Sequence, residues 1–263
     1  MKWAFIIGGS SGFGLATAQL LGNKGYNLFI IHRDRKGNLP TIESNFNEIR
    51  KNGNSVVSMN INANDKMNHA SIIEKLKETI GNGQGIQLFL HSLADGNVKP
   101  IISADHSAQP QKTLSTDDFE HTINAMGISF ITWSKLLFEN KLFAGSARII
   151  GITSEGTNKV MKGYAAVAAS KSVLESACRY LAVELAPFGI TTNLIKAGIT
   201  ETPALIAIPG FEKLLERARS KNPSGRLTTT RDVANVIYLL ARDEAAWING
   251  AIIRVDGGEQ IVA

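Results

Sequence analysis

A glycine-rich run near the start of the chain has the composition of a phosphate-binding loop. It follows the apolar stretch Trp3–Ile7, opens a helical pattern, and reads Gly8-Gly9-Ser10-Ser11-Gly12-Phe13-Gly14. Glycines allow a sharp turn and a close approach of the backbone to a pyrophosphate, and the following helix N-terminus offers unpaired N–H groups with a partial positive charge. We therefore predict that this loop binds the pyrophosphate of a dinucleotide. An ordinary glycine-rich turn is the alternative interpretation.

Two arginines after the second apolar stretch indicate which dinucleotide this is. That stretch ends in the residues Ile30-Ile31-His32-Arg33-Asp34-Arg35. A site for NAD places a carboxylate at this strand end to accept the ribose hydroxyls, whereas Arg33 and Arg35 can bind a 2′-phosphate. The two arginines favour NADPH. Asp34 argues in the other direction, and a pair of solvated loop arginines is the alternative.

These residues need a framework of parallel strands to position them. Apolar stretches alternate with helical patterns, and we predict strands at Trp3–Ile7, Asn27–Ile31, Ser55–Met59, Ile86–His91, Arg148–Ile152, Thr191–Ile195 and Ala251–Val255. Continuously apolar strands joined by helices indicate a parallel sheet that is covered on both faces. We therefore expect an α/β fold, a single-domain Rossmann-like doubly wound parallel sheet of about seven strands, with ligands at the carboxyl ends of the strands.

Two segments interrupt the alternation on the predicted ligand side. Residues 96–115 are polar and contain proline, and residues 200–226 surround an apolar helical pattern with Pro203, Pro209, Gly210, Pro223 and Gly225. We predict that residues 200–226 form a small, mobile substrate lid with an apolar inner face made by Leu205, Ile206, Ile208, Phe211, Leu214 and Leu215. A surface insertion that packs its own small core is the alternative.

The composition restricts the class of protein. The chain has 263 residues, of which 44% are hydrophobic and 19% charged, so it can bury one core and fits a single domain over 1–263. No stretch reaches the roughly 18 apolar residues of a membrane-spanning helix, and no secretory cleavage signature is present, so we expect a soluble cytoplasmic protein. The net charge of +5 comes from dispersed basic residues. Such a surface suits anionic cofactors or an acidic carrier protein better than nucleic acid.

The histidines and the single cysteine give no sign of a metal site. No pair at metal-ligand spacing occurs among the five histidines, which are His32, His69, His91, His106 and His121. Cys178 has no second cysteine to pair with and lies in an apolar helical pattern, so we expect a small core or interface residue. We predict that the protein binds no metal.

With these features the sequence resembles the short-chain dehydrogenase/reductase family over nearly its whole length. Besides the glycine loop, the shared motifs are Asn60-Ile61 at the third strand, Asn124-Ala-Met-Gly127 on the fourth helix, Thr153-Ser154 after the fifth strand and the terminal Val255-Asp-Gly-Gly258. The resemblance implies an active site with three side chains. A tyrosine donates to a substrate oxygen, a lysine holds the nicotinamide ribose and lowers the pKa of the tyrosine, and a serine assists.

The candidate tyrosine does not have the usual family position. Four residues before Lys171, where standard members carry the tyrosine, the sequence has Val167, and Tyr164 instead lies seven residues before the lysine. Seven residues bring a helix back to nearly the same face, so both side chains can point into one site, with the tyrosine shifted by roughly 4.5 Å along the axis. This spacing resembles the enoyl-acyl-carrier-protein reductases, a divergent branch of the family, and within it the NADPH-dependent bacterial type.

Other motifs support that branch, and two residues depart from it. The likeness includes His91-Ser92-Leu93-Ala94 after the fourth strand, the run Leu174–Leu185 after the lysine, and the lid entry Ala197–Thr202. Ile199 stands where a proline is common, and Ser154 stands where many enoyl reductases carry a second tyrosine. The serine is typical of the wider family and leaves ketone reduction open.

The shifted tyrosine has a chemical rationale. In ketone reduction the hydride and the proton go to adjacent atoms, whereas in enoyl reduction the developing oxyanion lies two bonds farther from the hydride acceptor. The resemblance then implies that NADPH delivers hydride to the β-carbon, Tyr164 stabilises the enolate oxygen, Lys171 fixes the ribose and Ser154 assists. His91 is expected to be structural.

The resemblance also implies a set of cofactor contacts. Asn60 and Ile61 would line the adenine pocket, while Leu93 and Ala94 would border a ribose. Thr200 and Thr202 would meet the nicotinamide amide and the phosphates. The full cofactor set comprises Gly8, Ser10, Ser11, Gly12, Phe13, Gly14, Arg33, Arg35, Asn60, Ile61, Ser92, Leu93, Ala94, Lys171, Thr200 and Thr202.

The sequence therefore predicts NADPH-dependent reduction of the trans-2 double bond of an enoyl thioester, carried on acyl carrier protein or coenzyme A, as in fatty acid biosynthesis and lipid metabolism. A 3-ketoacyl or other carbonyl reductase is the alternative, and a non-catalytic NADPH-binding scaffold or sensor is a second one. The resemblance implies a homo-oligomer, a tetramer or a dimer, through helices around Phe119–Glu139 and Tyr164–Leu185.

Overall fold

The computed structural model describes residues 1–103, 113–208 and 210–262. Its parallel strands are β1 Lys2–Ile7, β2 Tyr26–His32, β3 Val56–Asn60, β4 Ile86–His91, β5 Phe143–Thr153, β6 Ile190–Ala197 and β7 Ile252–Val255. They form one seven-stranded sheet in the order β3-β2-β1-β4-β5-β6-β7. This order confirms the predicted doubly wound fold, because the chain extends the sheet first to one side of β1 and then to the other.

Helices cover both faces of this sheet. Within the described ranges they are α1 Gly12–Asn23, α2 Leu39–Arg50, α3 His69–Ile80, α4 Thr116–Ile123, α5 Ser129–Glu139, α6 Ala165–Leu185, α7 Pro203–Ile206, α8 Phe211–Lys221 and α9 Thr230–Leu240. A π-helical turn, Asn124–Ile128, joins α4 to α5. The predicted helical motif at residues 124–127 therefore lies in this turn between two helices.

Two apolar layers hold the helices against the sheet, and they follow from the alternation of side chains along each strand. In β1, Phe5 packs on one face, with its ring centroid 5.5 Å from that of Phe89 and 5.6 Å from that of Trp133. Ile6 points to the other face and belongs to the layer covered by α1 and α9. Burying each such side chain stabilises the fold by about 1.5–3 kcal/mol.

The predicted strands all occur, with ends that differ by a few residues. The largest difference is β5, which begins at Phe143 instead of the predicted Arg148, because the residues at 144–146 are small and partly or fully exposed and break the apolar pattern. None of the helices in the described ranges is long and apolar enough to cross a membrane. Residues 104–112 of the predicted polar segment, Pro209 of the predicted lid and His106 lie outside the described residues.

Candidate active site

A cavity of about 760 Å³ lies at the carboxyl ends of the strands, around the point where the sheet order reverses between β1 and β4. Most of the predicted cofactor residues line it. They are Gly8, Ser10, Ser11, Gly12, Phe13, Arg33, Ile61, Ser92, Leu93, Ala94, Lys171, Thr200 and Thr202. Tyr164 and Ser154 line the same cavity. Gly14, Arg35 and Asn60 are the members of the predicted set that do not.

The glycine loop is built by close backbone contacts that only glycine permits. Gly8 has a φ of +85°, and a Cβ there would lie 2.4 Å from the carbonyl oxygen of Ser92. A Cβ at Gly14 would lie 2.0 Å from the carbonyl oxygen of Gly8. Gly14 therefore packs helix α1 against the loop and does not face the cavity. Ser11, the residue before α1, makes no side-chain cap, so the first N–H groups of the helix remain available to a phosphate.

The end of β2 differs in detail from the prediction. Asn60 uses its side-chain amide to brace the neighbouring loop, because its Oδ1 accepts from the Asp34 N–H at 2.8 Å and its Nδ2 donates to the Asp34 carbonyl at 3.0 Å. The Asp34 carboxylate lies 2.9 Å from Nδ1 of His32. Arg35 is exposed just before the turn Lys36–Asn38. Of the two predicted arginines, the structure thus brings only Arg33 to the cavity.

Tyr164 lies immediately before the first residue of α6. Its carbonyl accepts the Ala168 N–H at 2.8 Å. The seven-residue spacing predicts that Tyr164 lies within the helix. The helix in fact begins one residue later, and the side chain still lines the same cavity as Lys171. Burial raises the pKa of Tyr164, and the hydrogen bond with Ser154 opposes this shift, so the phenol is neutral and can donate.

Gly156, which no sequence pattern indicates, makes room for the ring of Tyr164. The hydroxyl of Tyr164 lies 3.5 Å from Oγ of Ser154, and between the two residues the chain makes a short turn at Glu155–Thr157. A Cβ at Gly156 would lie 2.5 Å from Cε1 of Tyr164. The ring therefore packs directly on the backbone of this turn. A lone glycine between two polar residues gave no usable signal.

Lys171 is a buried ammonium that faces the cavity. Its side chain is on α6, and burial lowers its pKa to about 8. Within the described part of the chain, Nζ of Lys171 has no hydrogen-bond acceptor. The ammonium is open to the cavity, so the oxygen atoms of a ligand bound there could accept its protons. The ribose hydroxyls of a nicotinamide cofactor fit that requirement.

Val167 occupies the usual tyrosine position with an apolar contact. It is buried and packs with Ala125 and Met126 of the π-helical turn, with Val98 and Tyr164 at the edge of this cluster. The side chain lines the cavity and offers no proton to a substrate. Tyr164 is therefore the tyrosine that lines this cavity in the described part of the chain.

His91 is a structural residue at the end of β4. Its Nε2 lies 2.7 Å from Oγ of Ser129, and that hydroxyl donates its only proton to the Ala125 carbonyl at 2.6 Å. Nε2 of His91 must therefore carry the proton and donate to Ser129. Burial, and then the charge of Lys171, lowers the pKa of His91 to about 3. The imidazole is neutral near pH 7 and has a structural role, because it links β4 to α5 through Ser129.

A largely buried ion pair, which no local sequence pattern indicates, supports the strand end that carries Ser154. Glu175 on α6 accepts the hydroxyl proton of Thr153 at 2.8 Å, and its carboxylate lies 3.4 Å from Nζ of Lys196 on β6. Nζ of Lys196 also lies 3.1 Å from Oγ1 of Thr157. Because Thr153 and Thr157 flank it, Ser154 is held on both sides. These contacts link three separate elements, which a local pattern cannot reveal.

The segment over the cavity has the predicted apolar character in part. Leu205, Ile208 and Leu214 line the cavity. Phe211 and Leu215 do not line it, and Ile206 is 48% exposed, so the predicted inner face is narrower than six residues. The helix is interrupted between α7 and α8, with Gly210 in a left-handed conformation before α8, so the six residues do not share one helical face.

The described residues contain no group of three or more histidine, cysteine or acidic side chains that could hold a metal ion. Cys178 is buried, and burial raises the pKa of its thiol to about 12. The thiol is therefore protonated and acts as a small packing residue.

A comparison with protein-family models decides the family. The model described as enoyl-(acyl carrier protein) reductase matches residues 8–260. This chain belongs to that family. It lies within the short-chain dehydrogenases/reductases, and it is an oxidoreductase that uses a nicotinamide cofactor.

Individual relatives agree with the family and differ in their reactions. The chain is 27% identical over 261 residues to an NADPH-dependent aldehyde reductase-like chloroplast protein of Arabidopsis thaliana, covering 97% of this chain and 93% of that one. It is 33% identical over 129 residues to a 1-cyclohexenylcarbonyl-CoA reductase of Streptomyces collinus, covering 47% and 45%. The solved structure of an enoyl-acyl-carrier-protein reductase (NADH) from Aquifex aeolicus VF5 aligns with a TM-score of 0.83 at 26% identity, covering 100% of this chain and 97% of that one.

Proposed function

We propose that this protein reduces the trans-2 double bond of an enoyl thioester with NADPH. The observation that carries the proposal is the position of Tyr164, which lines the cavity together with Lys171 while Val167 fills the usual tyrosine position. A tyrosine displaced in this way suits an oxyanion that develops three bonds from the carbon receiving hydride, two bonds farther than in ketone reduction. The family match and the unsaturated acyl-CoA named for the Streptomyces relative support the same reaction class.

The residues divide the work of this reaction among them. Bound NADPH supplies the hydride that adds to the β-carbon of the substrate. The neutral hydroxyl of Tyr164 donates to the thioester oxygen and stabilises the enolate, and Ser154 lies within reach of that hydroxyl at 3.5 Å. The ammonium of Lys171 lines the same cavity and binds the ribose hydroxyls. The α-carbon of the enolate then takes a proton from solvent water, which completes the reduction.

The choice of NADPH rests on Arg33. This side chain lines the cofactor part of the cavity at the end of β2, where a guanidinium can bind a 2′-phosphate in a bidentate manner. The relatives include proteins named for NADH and for NADPH, so the proposal of NADPH depends on the residues of this chain. Asp34, which would favour NADH, also lines the cavity, and its carboxylate lies 2.9 Å from Nδ1 of His32.

Carbonyl reduction is the second candidate, and a specific contact favours it. Ser154 lies beside the hydroxyl of Tyr164, as a serine that assists a carbonyl-reducing tyrosine would. The Arabidopsis relative named as aldehyde reductase-like aligns over 97% of this chain. A substrate long enough to reach the shifted tyrosine could then be reduced at a ketone or aldehyde group.

Apolar side chains in the cavity support a proposal for the substrate. Leu205, Ile208 and Leu214 line the cavity, so we propose an apolar acyl chain beneath a lid at residues 200–226, on acyl carrier protein or coenzyme A.

Exposed apolar side chains lie on and just after α6, namely Tyr180, Val183 and Phe188. They support a homo-oligomer, a dimer or a tetramer, whose mass can be measured by light scattering. We propose one reductase domain over 1–263 acting in the cytoplasm.

The test is a spectroscopic assay with matched substrates. Purified protein is given crotonyl and longer trans-2-enoyl thioesters on coenzyme A and on acyl carrier protein, beside 3-ketoacyl thioesters and aldehydes of the same length, with NADPH and then with NADH. Faster oxidation of NADPH with the enoyl series is the expected result. Preference for the keto or aldehyde series would reassign the protein as a carbonyl reductase. Cofactor binding without turnover of any substrate would favour a scaffold or sensor.

A further inference from the structure

An ion pair joins the two sides of the cofactor part of the cavity. Arg33 follows β2 and Asp95 follows β4, and these two strands flank β1 in the sheet. Nη2 of Arg33 lies 3.1 Å from Oδ2 of Asp95, and both residues line the cavity. The pair therefore crosses the region above β1, where the glycine loop begins. The same guanidinium is the one we assign to the 2′-phosphate.

Asp95 has a second contact that holds it in place. Its Oδ1 lies 3.4 Å from Nε2 of His121 on α4. The Asp95 side chain is 26% exposed, whereas Arg33 is 56% exposed. Arg33 is thus the more accessible partner and the one that a ligand can engage. If the guanidinium turns to another anion, the carboxylate keeps its contact with His121.

We propose that Asp95 is a specificity-determining residue that competes with the 2′-phosphate of NADPH for Arg33. A guanidinium binds a carboxylate and a phosphate with the same pair of donors, and the more highly charged phosphate displaces the carboxylate. NADH has no such phosphate, so Arg33 and Asp95 stay paired across its adenosine half. Asp95 therefore reduces the preference of the site for NADPH over NADH. This inference rests on the proposed role of Arg33 and is independent of the substrate that is reduced.

The experiment compares dissociation constants and needs no substrate. NADPH and NADH are titrated into wild type, Asp95→Asn, Arg33→Gln and the double variant, with binding followed by cofactor fluorescence. Asp117→Asn is the matched control, because Asp117 is an exposed acid on α4 that does not line the cavity. An exposed ion pair is worth up to about a fivefold change in an equilibrium constant. We expect Asp95→Asn to raise the ratio Kd(NADH)/Kd(NADPH) by about two- to fivefold, and Asp117→Asn to leave it unchanged.

The double variant separates competition for Arg33 from a general charge effect. In the Arg33→Gln background, Asp95→Asn should not change the ratio Kd(NADH)/Kd(NADPH), so the double variant and Arg33→Gln should give the same ratio. An unchanged or lower ratio in Asp95→Asn, or the same rise without Arg33, would overturn the inference. If Arg33→Gln weakens NADPH binding while Asp95→Asn does nothing, the assignment of Arg33 stands and only the role of Asp95 fails. If Arg33→Gln leaves NADPH binding intact, both fail.

Discussion

The hydroxyl of Tyr164 lies 3.5 Å from Oγ of Ser154, and the tyrosine ring packs on the turn that separates the two residues. The tyrosine thus stands at the start of α6 beside the end of β5, one helical turn before the usual family position. This placement makes the two hydroxyls testable one at a time.

Tyr164→Phe should lower kcat on the true substrate by about 10²-fold or more, since a positioned proton donor contributes that much to catalysis. The Kd for NADPH should stay within about twofold, because the phenol is assigned to the substrate oxygen and not to the cofactor. Ser154→Ala is the companion variant. A small decrease in kcat on enoyl substrates together with a large decrease on ketones would assign Ser154 to carbonyl reduction. Full activity of Tyr164→Phe in the steady-state assay would remove the tyrosine from the mechanism.

Lys171 should make cofactor binding depend on pH. Burial lowers the pKa of this ammonium to about 8, so the free protein loses the charge as the pH rises through that value. We expect the Kd for NADPH to be constant from about pH 7 to 8 and then to increase by up to about tenfold per pH unit. Lys171→Met should bind weakly at pH 7 and show a flat profile up to pH 9.5. A wild-type profile that is equally flat would contradict the ribose-binding role.

Gly14→Ala should weaken cofactor binding although Gly14 does not line the cavity. The new Cβ would lie 2.0 Å from the Gly8 carbonyl oxygen, so the phosphate loop must shift. Gly37→Ala is the control, because a Cβ there has nothing within 4 Å and the backbone is not in the left-handed region. We expect a loss of at least about tenfold in NADPH affinity for Gly14→Ala, measured by fluorescence titration, and no change for Gly37→Ala.

Gly156→Ala should reduce turnover and leave cofactor binding intact. A Cβ at this position would lie 2.5 Å from Cε1 of Tyr164 and would push the ring away from its place beside Ser154. A displacement of about 1 Å can cost up to roughly 10²-fold in rate when a group must be aligned with the reacting atoms. The rate and the Kd for NADPH are measured in parallel. Equal losses in both would mean that the turn supports the fold in general.

His91 should make the stability of the fold depend on acid. Its pKa is about 3 in the folded chain and 6.5 in its ordinary state, so below pH 6.5 the unfolded chain binds a proton that the folded chain does not. The free energy of unfolding should therefore fall as the pH drops from about 6.5 toward 3. Between pH 6.5 and 5 this histidine should account for a loss of about 2 kcal/mol. Urea unfolding of His91→Gln should lack that loss, and an identical pH dependence of both proteins would refute the assignment.

The sequence alone was sufficient for the framework of this protein. The seven parallel strands and the glycine loop between β1 and α1 follow from apolar runs, helical periodicity and glycine spacing, all of which are local. The family resemblance singled out Tyr164 and Lys171, and their separation of seven residues predicted that both side chains face one site, where both line the cavity. The one-residue error in the start of α6 did not matter for that reason.

Only the tertiary structure decided what the side chains at the strand ends touch. Asn60 braces the Asp34 backbone, Arg33 reaches Asp95 some sixty residues away in the sequence, and Arg35 stays outside the cavity. Ile206 likewise is exposed although it fits the apolar pattern of the lid. Local spacing fixes the face of a helix or strand, but loops have no period, so the direction of a loop side chain depends on contacts between distant elements. Those contacts exist only once the sheet has brought β2, β4 and β5 together.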